Sequence, residues 1–159
     1  MTTERQRQLR DRLAAIPVRL AAACPAASQV PEPTGEWSVR EIVLHELVTE
    51  EGVWHPRLRM VAEQDHPAWP WVEPGLGETP DTRPLGALVE AFAAARSATI
   101  ASLDALDDVG WARTGTHATY GVLDVAGLME RAINHDEEHA LDVERRAAAD
   151  LTREGTAAR

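Results

Sequence analysis

Apolar residues recur at intervals of three and four along most of this chain, which is the pattern of helices that each bury one face. No stretch alternates apolar and polar residues for long enough to predict a β-strand. A helical interpretation therefore accounts for the whole pattern, with breaks where prolines and glycines cluster. The predicted helices cover residues 3–23, 38–64, 84–106 and 122–151.

The second predicted helix carries signals at its start and in its interior. Ser38 and Glu41 are three residues apart, a spacing typical of a capping box at a helix start. Pro56 lies inside the helix and predicts a kink or an early end, because proline cannot donate the backbone hydrogen bond of a helix interior. By the same reasoning, Pro25 is predicted to close the first helix.

A proline-rich connection separates the second and third helices. Residues 65–83 contain four prolines and two glycines, so they predict a loop. At up to about 3.3 Å per residue, this loop can travel the length of a helix, which lets helices two and three run in the same direction. We therefore predict an all-α fold, a four-helix bundle in the order up-down-down-up with a long crossover between helices 2 and 3. Residues 1–151 are predicted to form one domain, and residues 152–159 to fray.

Composition and charge narrow the functional classes. Hydrophobic residues make up 44% of the chain and charged residues 26%, which is typical of a globular domain. The formal net charge of −10 leaves no basic stripe for nucleic acid or for an anionic membrane. No signal peptide or long apolar stretch is visible, so we expect a cytoplasmic protein. The expected partner is a small-molecule substrate, and a homodimer is left open.

His135 and His139 are the first candidate functional residues, in the stretch "INHDEEHALDVE". One helical turn separates them, so both imidazoles can take adjacent corners of one metal site. Asp136 lies on the same inward side and can accept a hydrogen bond from a metal-bound imidazole. Two interpretations stay open here, metal ligands or polar residues on a charged helix. His45 is predicted to face solvent from the periodicity of its own helix.

Three segments together resemble the DinB/YfiT-like family, also called the DinB-like metal-binding superfamily. They are "GEWSVREIVLHELVTEEGVWHPRL", the proline-rich crossover and "TYGVLDVAGLMERAINHDEEHALDV", and the resemblance covers about residues 35–143. The residues that match the family pattern are Trp37, Ser38, Glu41, His45, His135, Asp136 and His139. The resemblance implies an up-down-down-up bundle with a divalent metal, zinc or nickel, held by His45, His135 and His139.

The same resemblance implies an enzyme that uses a low-molecular-weight thiol, such as a mycothiol-like S-transferase. The alternative is a metal-dependent hydrolase on the same three histidines, with Glu46 or Asp136 as the base. A third interpretation is a non-catalytic metal-binding or stress-response module. Trp54, Arg57 and Tyr120 are candidates for the pocket wall, with packing or surface roles as the alternative. The sequence assigns no catalytic residue.

Overall fold

The computed structural model describes residues 3–157 apart from 33, 73 and 78, and from residue 151 onward it describes the backbone alone. The described chain is mainly helical. Its helices are α1 (Glu4–Ala27), α2 (Val39–Thr49), α3 (His55–Glu63), α4 (Leu85–Asp104), α5 (Asp108–Trp111) and α6 (Val125–Ala157), and a π-helical turn (Glu50–Trp54) joins α2 to α3. Short strands form a sheet in the order β1 (Ala68–Trp69), β2 (Thr114–His117), β3 (Gly121–Asp124).

Ion pairs between α1 and α6 show that these two helices run in the same direction. Arg5, Arg12 and Arg19 contact, in that order, Glu130, Glu137 and Glu144. The partners advance by seven residues on both helices, so all of the pairs lie along one seam between them.

The helices α2 and α4 run together in the direction opposite to α1. Arg10 near the start of α1 contacts Asp104, the last residue of α4, so α1 and α4 are antiparallel. Arg40 at the start of α2 donates to a backbone carbonyl just before α4, and Glu50 after the end of α2 contacts Arg96 farther along α4. The four long segments of the bundle therefore follow the order up-down-down-up, with the crossover between α3 and α4.

The core consists of two apolar clusters separated by a layer of buried charge. The first cluster includes Leu47 and Phe92, and the second includes Trp54 and Met129. On the segment from α2 to α3, on α4 and on α6, charged residues fall between the positions that belong to the two clusters: Glu50, Arg96 and Asp136. This buried charged layer consists of Glu46, Glu50, Arg96 and Asp136, each at 1% exposure or less.

Several helix ends differ from the predicted ones. α1 continues through Pro25 to Ala27, because small buried residues pack its last turn into the core. The second predicted helix is unbroken, but the π-helical turn lies immediately before Pro56, where its wider geometry accommodates the missing proline N–H. α6 reaches Ala157, beyond the predicted frayed boundary at residue 151, because residues 145–153 are mostly alanine and arginine.

The small sheet corrects the prediction of a chain without strands. Its strands have four residues or fewer, which is too short for an alternating pattern to stand out. β1 pairs with β2 in parallel, and β2 pairs with β3 in antiparallel register. Trp69 of β1 packs into the second apolar cluster, so the sheet is anchored to the bundle.

None of the helices in the described part of the chain combines the length and apolarity that a membrane crossing requires. The single-domain boundary and the homodimer stay predictions.

Candidate metal centre

Three imidazoles meet between α2 and α6. His45 lies on α2, and His135 and His139 lie on successive turns of α6. Their ligand nitrogens are within 4.8 Å of one another, and Nε2 of His45 is 3.0 Å from Nε2 of His135. The structure thus brings together the pair identified by its spacing and the third histidine implied by the family resemblance.

His45 is buried, at 5% exposure, although the periodicity of α2 predicts a solvent-facing side chain. The reason is that α2 has hardly any polar face, since most of Val39–Thr49 is buried. The Nδ1–H of His45 donates to the backbone carbonyl of Gly75 at 2.6 Å. Gly75 lies in the crossover loop, and periodicity within one helix carries no information about a loop thirty residues away.

Hydrogen bonds fix the tautomers of two of the imidazoles. The carbonyl of Gly75 can only accept, so His45 carries its proton on Nδ1. His135 Nδ1 lies 2.9 Å from Oδ1 of Asp136, and the carboxylate accepts that proton's hydrogen bond. When both rings are neutral, the two Nε2 atoms present lone pairs to each other across 3.0 Å, an arrangement that a cation between them would stabilise.

This donor set fits a divalent metal. Two nitrogens that bind the same zinc ion at about 2.0–2.1 Å lie roughly 3 Å or slightly more apart. Burial, together with the neighbouring His135 and His45, lowers the pKa of His139 to about 4. His139 is therefore neutral at physiological pH, as a metal ligand must be.

Asp136 is held in place from behind by the buried charged layer. Its Oδ2 accepts from Arg96 at 2.6 Å, and Arg96 also donates to Glu50 at 2.7 Å. The hydroxyl of Thr99 donates to Glu50, and Nδ1 of His55 lies 3.0 Å from that hydroxyl. A continuous chain of hydrogen bonds therefore extends from the imidazole of the metal centre to α4 and back to α3.

The charges of this layer are set by burial and by neighbours. Burial opposes ionisation of Asp136, but the hydrogen bond from His135 and the charge of Arg96 outweigh burial and lower the Asp136 pKa. Burial and then the negative charge of Asp136 raise the pKa of Glu46 well above its usual range. Asp136 thus favours its ionised form beside His135, whereas Glu46 favours its protonated form.

Neither of these carboxyl groups fits the predicted role of base. Glu46 and Asp136 are each 1% exposed, and both approach His135 on its Nδ1 side, away from the paired Nε2 atoms. Glu138 is the carboxylate that lines the adjoining cavity, within the part of the chain that the structure describes.

That cavity has a volume of about 410 Å³ and an aromatic wall. The Trp37 ring lies 4.6 Å from the His45 ring and stacks on His139 at 6.1 Å, while Trp54 meets His135 edge-on at 5.9 Å. A volume of this size accepts a small organic molecule. All of the predicted wall residues line the cavity: Trp54, Arg57 and Tyr120.

Of the buried charged layer, Asp136 and Glu46 were named from the sequence, whereas Glu50 and Arg96 were missed. A signal was present on α4, where Arg96 and Thr99 stand on the same stripe as Phe92 and Leu103. A charged residue on an apolar stripe requires a buried partner of opposite charge. The sequence pattern does not indicate which residue on another helix is that partner, because this depends on how the helices are arranged.

Comparisons with known proteins agree with this fold. No curated protein matches the sequence. Among solved structures, YfiT from Bacillus subtilis matches with a TM-score of 0.76 and 19% identity, over 98% of this chain and 90% of that chain. YfiT is described as a probable metal-dependent hydrolase with an unusual four-helix bundle topology, and at this identity the likeness shows the fold alone. A family model described as the DinB superfamily matches residues 2–143, and the chain therefore belongs to the DinB superfamily.

Proposed function

We propose that this chain is a divalent-metal-dependent enzyme in which His45, His135 and His139 hold zinc or nickel. The observation that carries the proposal is the 3.0 Å separation of two Nε2 atoms whose rings are both protonated on Nδ1. Neutral imidazole suits both metals, and three protein ligands leave positions for a substrate or water. When bound, the metal would supply the positive charge that lowers the pKa of a thiol or a water molecule at the site.

The residues around the triad orient it and exclude water from one side. Asp136 holds the His135 proton on Nδ1, and Arg96 fixes the position of Asp136. The carbonyl of Gly75 does the same for His45. The cavity lies on the open side of the triad, so a small molecule that enters it reaches the imidazoles between aromatic rings.

Transfer of a low-molecular-weight thiol is the reaction that this site supports best. Asp136 and Glu46 are both buried, and both oxygens of Asp136 already accept hydrogen bonds, so neither carboxyl group is placed to remove a proton from water in the cavity. A thiol ionises near pH 8.5, whereas free water has a pKa of about 15.7, so the thiol needs far less assistance. In the proposed reaction a mycothiol-like thiol forms a carbon–sulfur bond to an electrophile, which releases its leaving group, and the thiol proton passes to solvent.

Metal-dependent hydrolysis is the second candidate, and Glu138 is the observation that favours it. Glu138 lines the cavity next to His139 and is exposed there, so it can accept a proton from an attacking water. YfiT, which shares the fold, is described as a probable hydrolase.

The test compares the two reactions on the same zinc- or nickel-loaded protein. One assay follows consumption of mycothiol, bacillithiol or cysteine with monobromobimane, and the other follows release of nitrophenol from a panel of esters. S-transfer predicts metal-dependent thiol consumption that His135→Ala removes and Glu138→Gln spares. Hydrolysis predicts ester cleavage that both substitutions remove.

Glu137→Gln is the matched control for Glu138→Gln, because Glu137 pairs with Arg12 on α1 and lies away from the cavity. Loss of activity in the control would point to a general effect on α6. Absence of both activities in metal-loaded protein would leave a non-catalytic metal-binding module as the interpretation.

A further inference from the structure

Basic side chains collect at the end of the cavity next to the metal centre. Arg57 comes from α3, His117 from the end of β2, and Arg131 from α6, one turn before His135. The Arg131 guanidinium lies 4.2 Å from the centroid of the Tyr120 ring, and that ring stacks on His117 at 4.7 Å. Three separate elements therefore direct basic groups to one region of the cavity wall.

Arg57 is buried and has no carboxylate partner among the described residues. Its side chain is 7% exposed, one Nη donates to the backbone carbonyl of Pro70 at 2.8 Å, and the guanidinium lies 5.7 Å from the Trp54 ring centroid. Within the described residues, neither Arg57 nor Arg131 forms an ion pair, whereas most of the other arginines do. This is unexpected in a chain with 26 acidic and 16 basic residues.

Arg96, the other buried arginine near the site, has the carboxylate partners that Arg57 lacks within the described chain. Arg96 is buried at 1% exposure and is contacted by two carboxylates, Glu50 and Asp136. Arg57 is almost as deeply buried, and burial lowers its pKa; the Tyr120 hydroxyl opposes this effect, and no described carboxylate does. A buried cation without a counter-charge is costly, so the fold keeps Arg57 at a cost in stability that an incoming anion would reduce.

His117 adds a buried donor that has no partner. Its Nδ1 accepts from the backbone N–H groups of Thr119 and Tyr120, at 3.0 and 3.3 Å, so the ring proton is on Nε2. Nε2 is buried and has no hydrogen-bond partner among the residues that the structure describes. His117 itself is 2% exposed and lines the cavity.

We infer that this end of the cavity is an oxyanion-binding subsite, in which Arg57 and Arg131 bind a carboxylate or phosphate group carried by a small-molecule ligand. The planar guanidinium fork suits such a group, and the aromatic rings around it suit a flat organic body. The role of the subsite in turnover rests on the proposed function, since it would hold the substrate or thiol one helical turn from the metal. Anion binding itself does not require the metal.

The test is a ligand titration on metal-free protein, prepared with a chelator so that no carboxylate can bind a metal. 4-Fluorobenzoate and 4-fluorophenyl phosphate are titrated and followed by fluorine NMR, with 4-fluorobenzamide as the neutral probe of the same shape. We expect at least one of the anions to bind about tenfold or more tightly than the amide, because charge-assisted hydrogen bonds are strong in a buried site. The tighter anion identifies the group that the subsite prefers.

Arg57→Gln and Arg131→Gln are each expected to weaken anion binding about tenfold and to leave amide binding unchanged. Arg59→Gln is the matched control, because Arg59 lies on the same helix, is exposed and pairs with Glu63. Arg131 is exposed, so its substitution tests the subsite even if the Arg57 variant fails to fold. Equal binding of anions and amide, or anion binding that is unaffected in the Arg131 variant, would overturn the inference.

His135→Ala separates this inference from the proposed function. The variant should lose the metal and keep anion binding. If wild-type protein binds no metal but still prefers the anions, the proposed function fails and the subsite stands. If it binds the metal and shows no preference for anions, the subsite fails alone.

Discussion

Asp136 shows most clearly how single residues shape this site. Each of its oxygens has one role: Oδ1 accepts from His135, and Oδ2 accepts from Arg96. The carboxylate therefore links the imidazole of the metal centre to the buried charged layer. An amide oxygen in its place could still accept from His135 but would carry no negative charge.

Asp136→Asn is expected to weaken metal binding by roughly 10- to 100-fold, because the imidazole loses the negative charge that raises its basicity. Competition with a chromophoric chelator measures the affinity. Glu50→Gln is the matched control, since it removes the other carboxylate of Arg96 but makes no contact with a histidine of the triad. Equal losses in the two variants would contradict a specific role for Asp136.

Cys24 is expected to be inert towards thiol reagents in the folded protein. It is buried in the first apolar cluster, and burial raises the pKa of its thiol to about 11. At pH 8 the thiol is therefore protonated and shielded, and the thiolate is the reactive form. Colour development with Ellman's reagent should be slow in buffer and complete in concentrated urea. Fast labelling in buffer would show that Cys24 is accessible and ionised.

The residues of the site were predictable from the sequence to different degrees. His135 and His139 stood out by their spacing, whereas His45 was identified only by the family resemblance, against the periodicity of its helix. Gly75 and Glu50 carried no signal, because their roles depend on contacts with residues far away in the chain. Local patterns identify a side chain's own helix face and give no information about the partners beyond it.

Among the elements, the segment from α2 to α3 matched its predicted extent best. The capping box at Ser38 is present, with Glu41 accepting from the Ser38 backbone. Pro56 affects the helix as proline chemistry requires, but through the π-helical turn before it and not through a break. The sheet was missed because the parallel pairing of β1 with β2 joins residues 48 apart, as Ala68 with Thr116.

Substitutions at two glycines, one in the sheet and one in α4, test how tightly the sheet is packed. At Gly115 a Cβ would lie 2.5 Å from Cη2 of Trp69 and 2.9 Å from the carbonyl oxygen of Pro67. Gly115→Ala should therefore lower the free energy of unfolding by about 1–3 kcal/mol. Gly86→Ala is the matched control in α4, where the new methyl group meets nothing, and should raise stability by about 0.5–1 kcal/mol.

Urea denaturation measures both variants. If Gly115→Ala were as stable as Gly86→Ala, the Trp69 ring would not be held against β2, and the sheet would be less firmly anchored than the structure indicates.

At the scale of the whole molecule, the direction of the helices follows from the crossover and from the seam between α1 and α6. The length of residues 65–83 was enough to predict parallel second and third segments. The seam was not recognised, although Arg5, Arg12 and Arg19 are seven residues apart, as are their glutamates on α6. A seven-residue repeat of opposite charges on two helices predicts that they lie side by side.

A charge exchange tests this parallel arrangement. Arg12→Glu would place two glutamates together, since Arg12 contacts Glu137 at 2.9 Å, and should cost up to about 1 kcal/mol because the pair is partly exposed. The double exchange Arg12→Glu with Glu137→Arg should recover most of that loss in urea denaturation. A double variant no more stable than the single one would contradict the register of the seam.

The most direct test of the central claim is the metal content of tag-free protein purified without chelators, measured by elemental analysis. The account predicts about one zinc or nickel ion per chain, lost in His135→Ala and retained in His66→Ala, whose side chain bonds to Thr114 and Thr116 away from the triad. Protein that contains no divalent metal, and retains none after zinc or nickel is added, would contradict the assignment of His45, His135 and His139 as a metal centre.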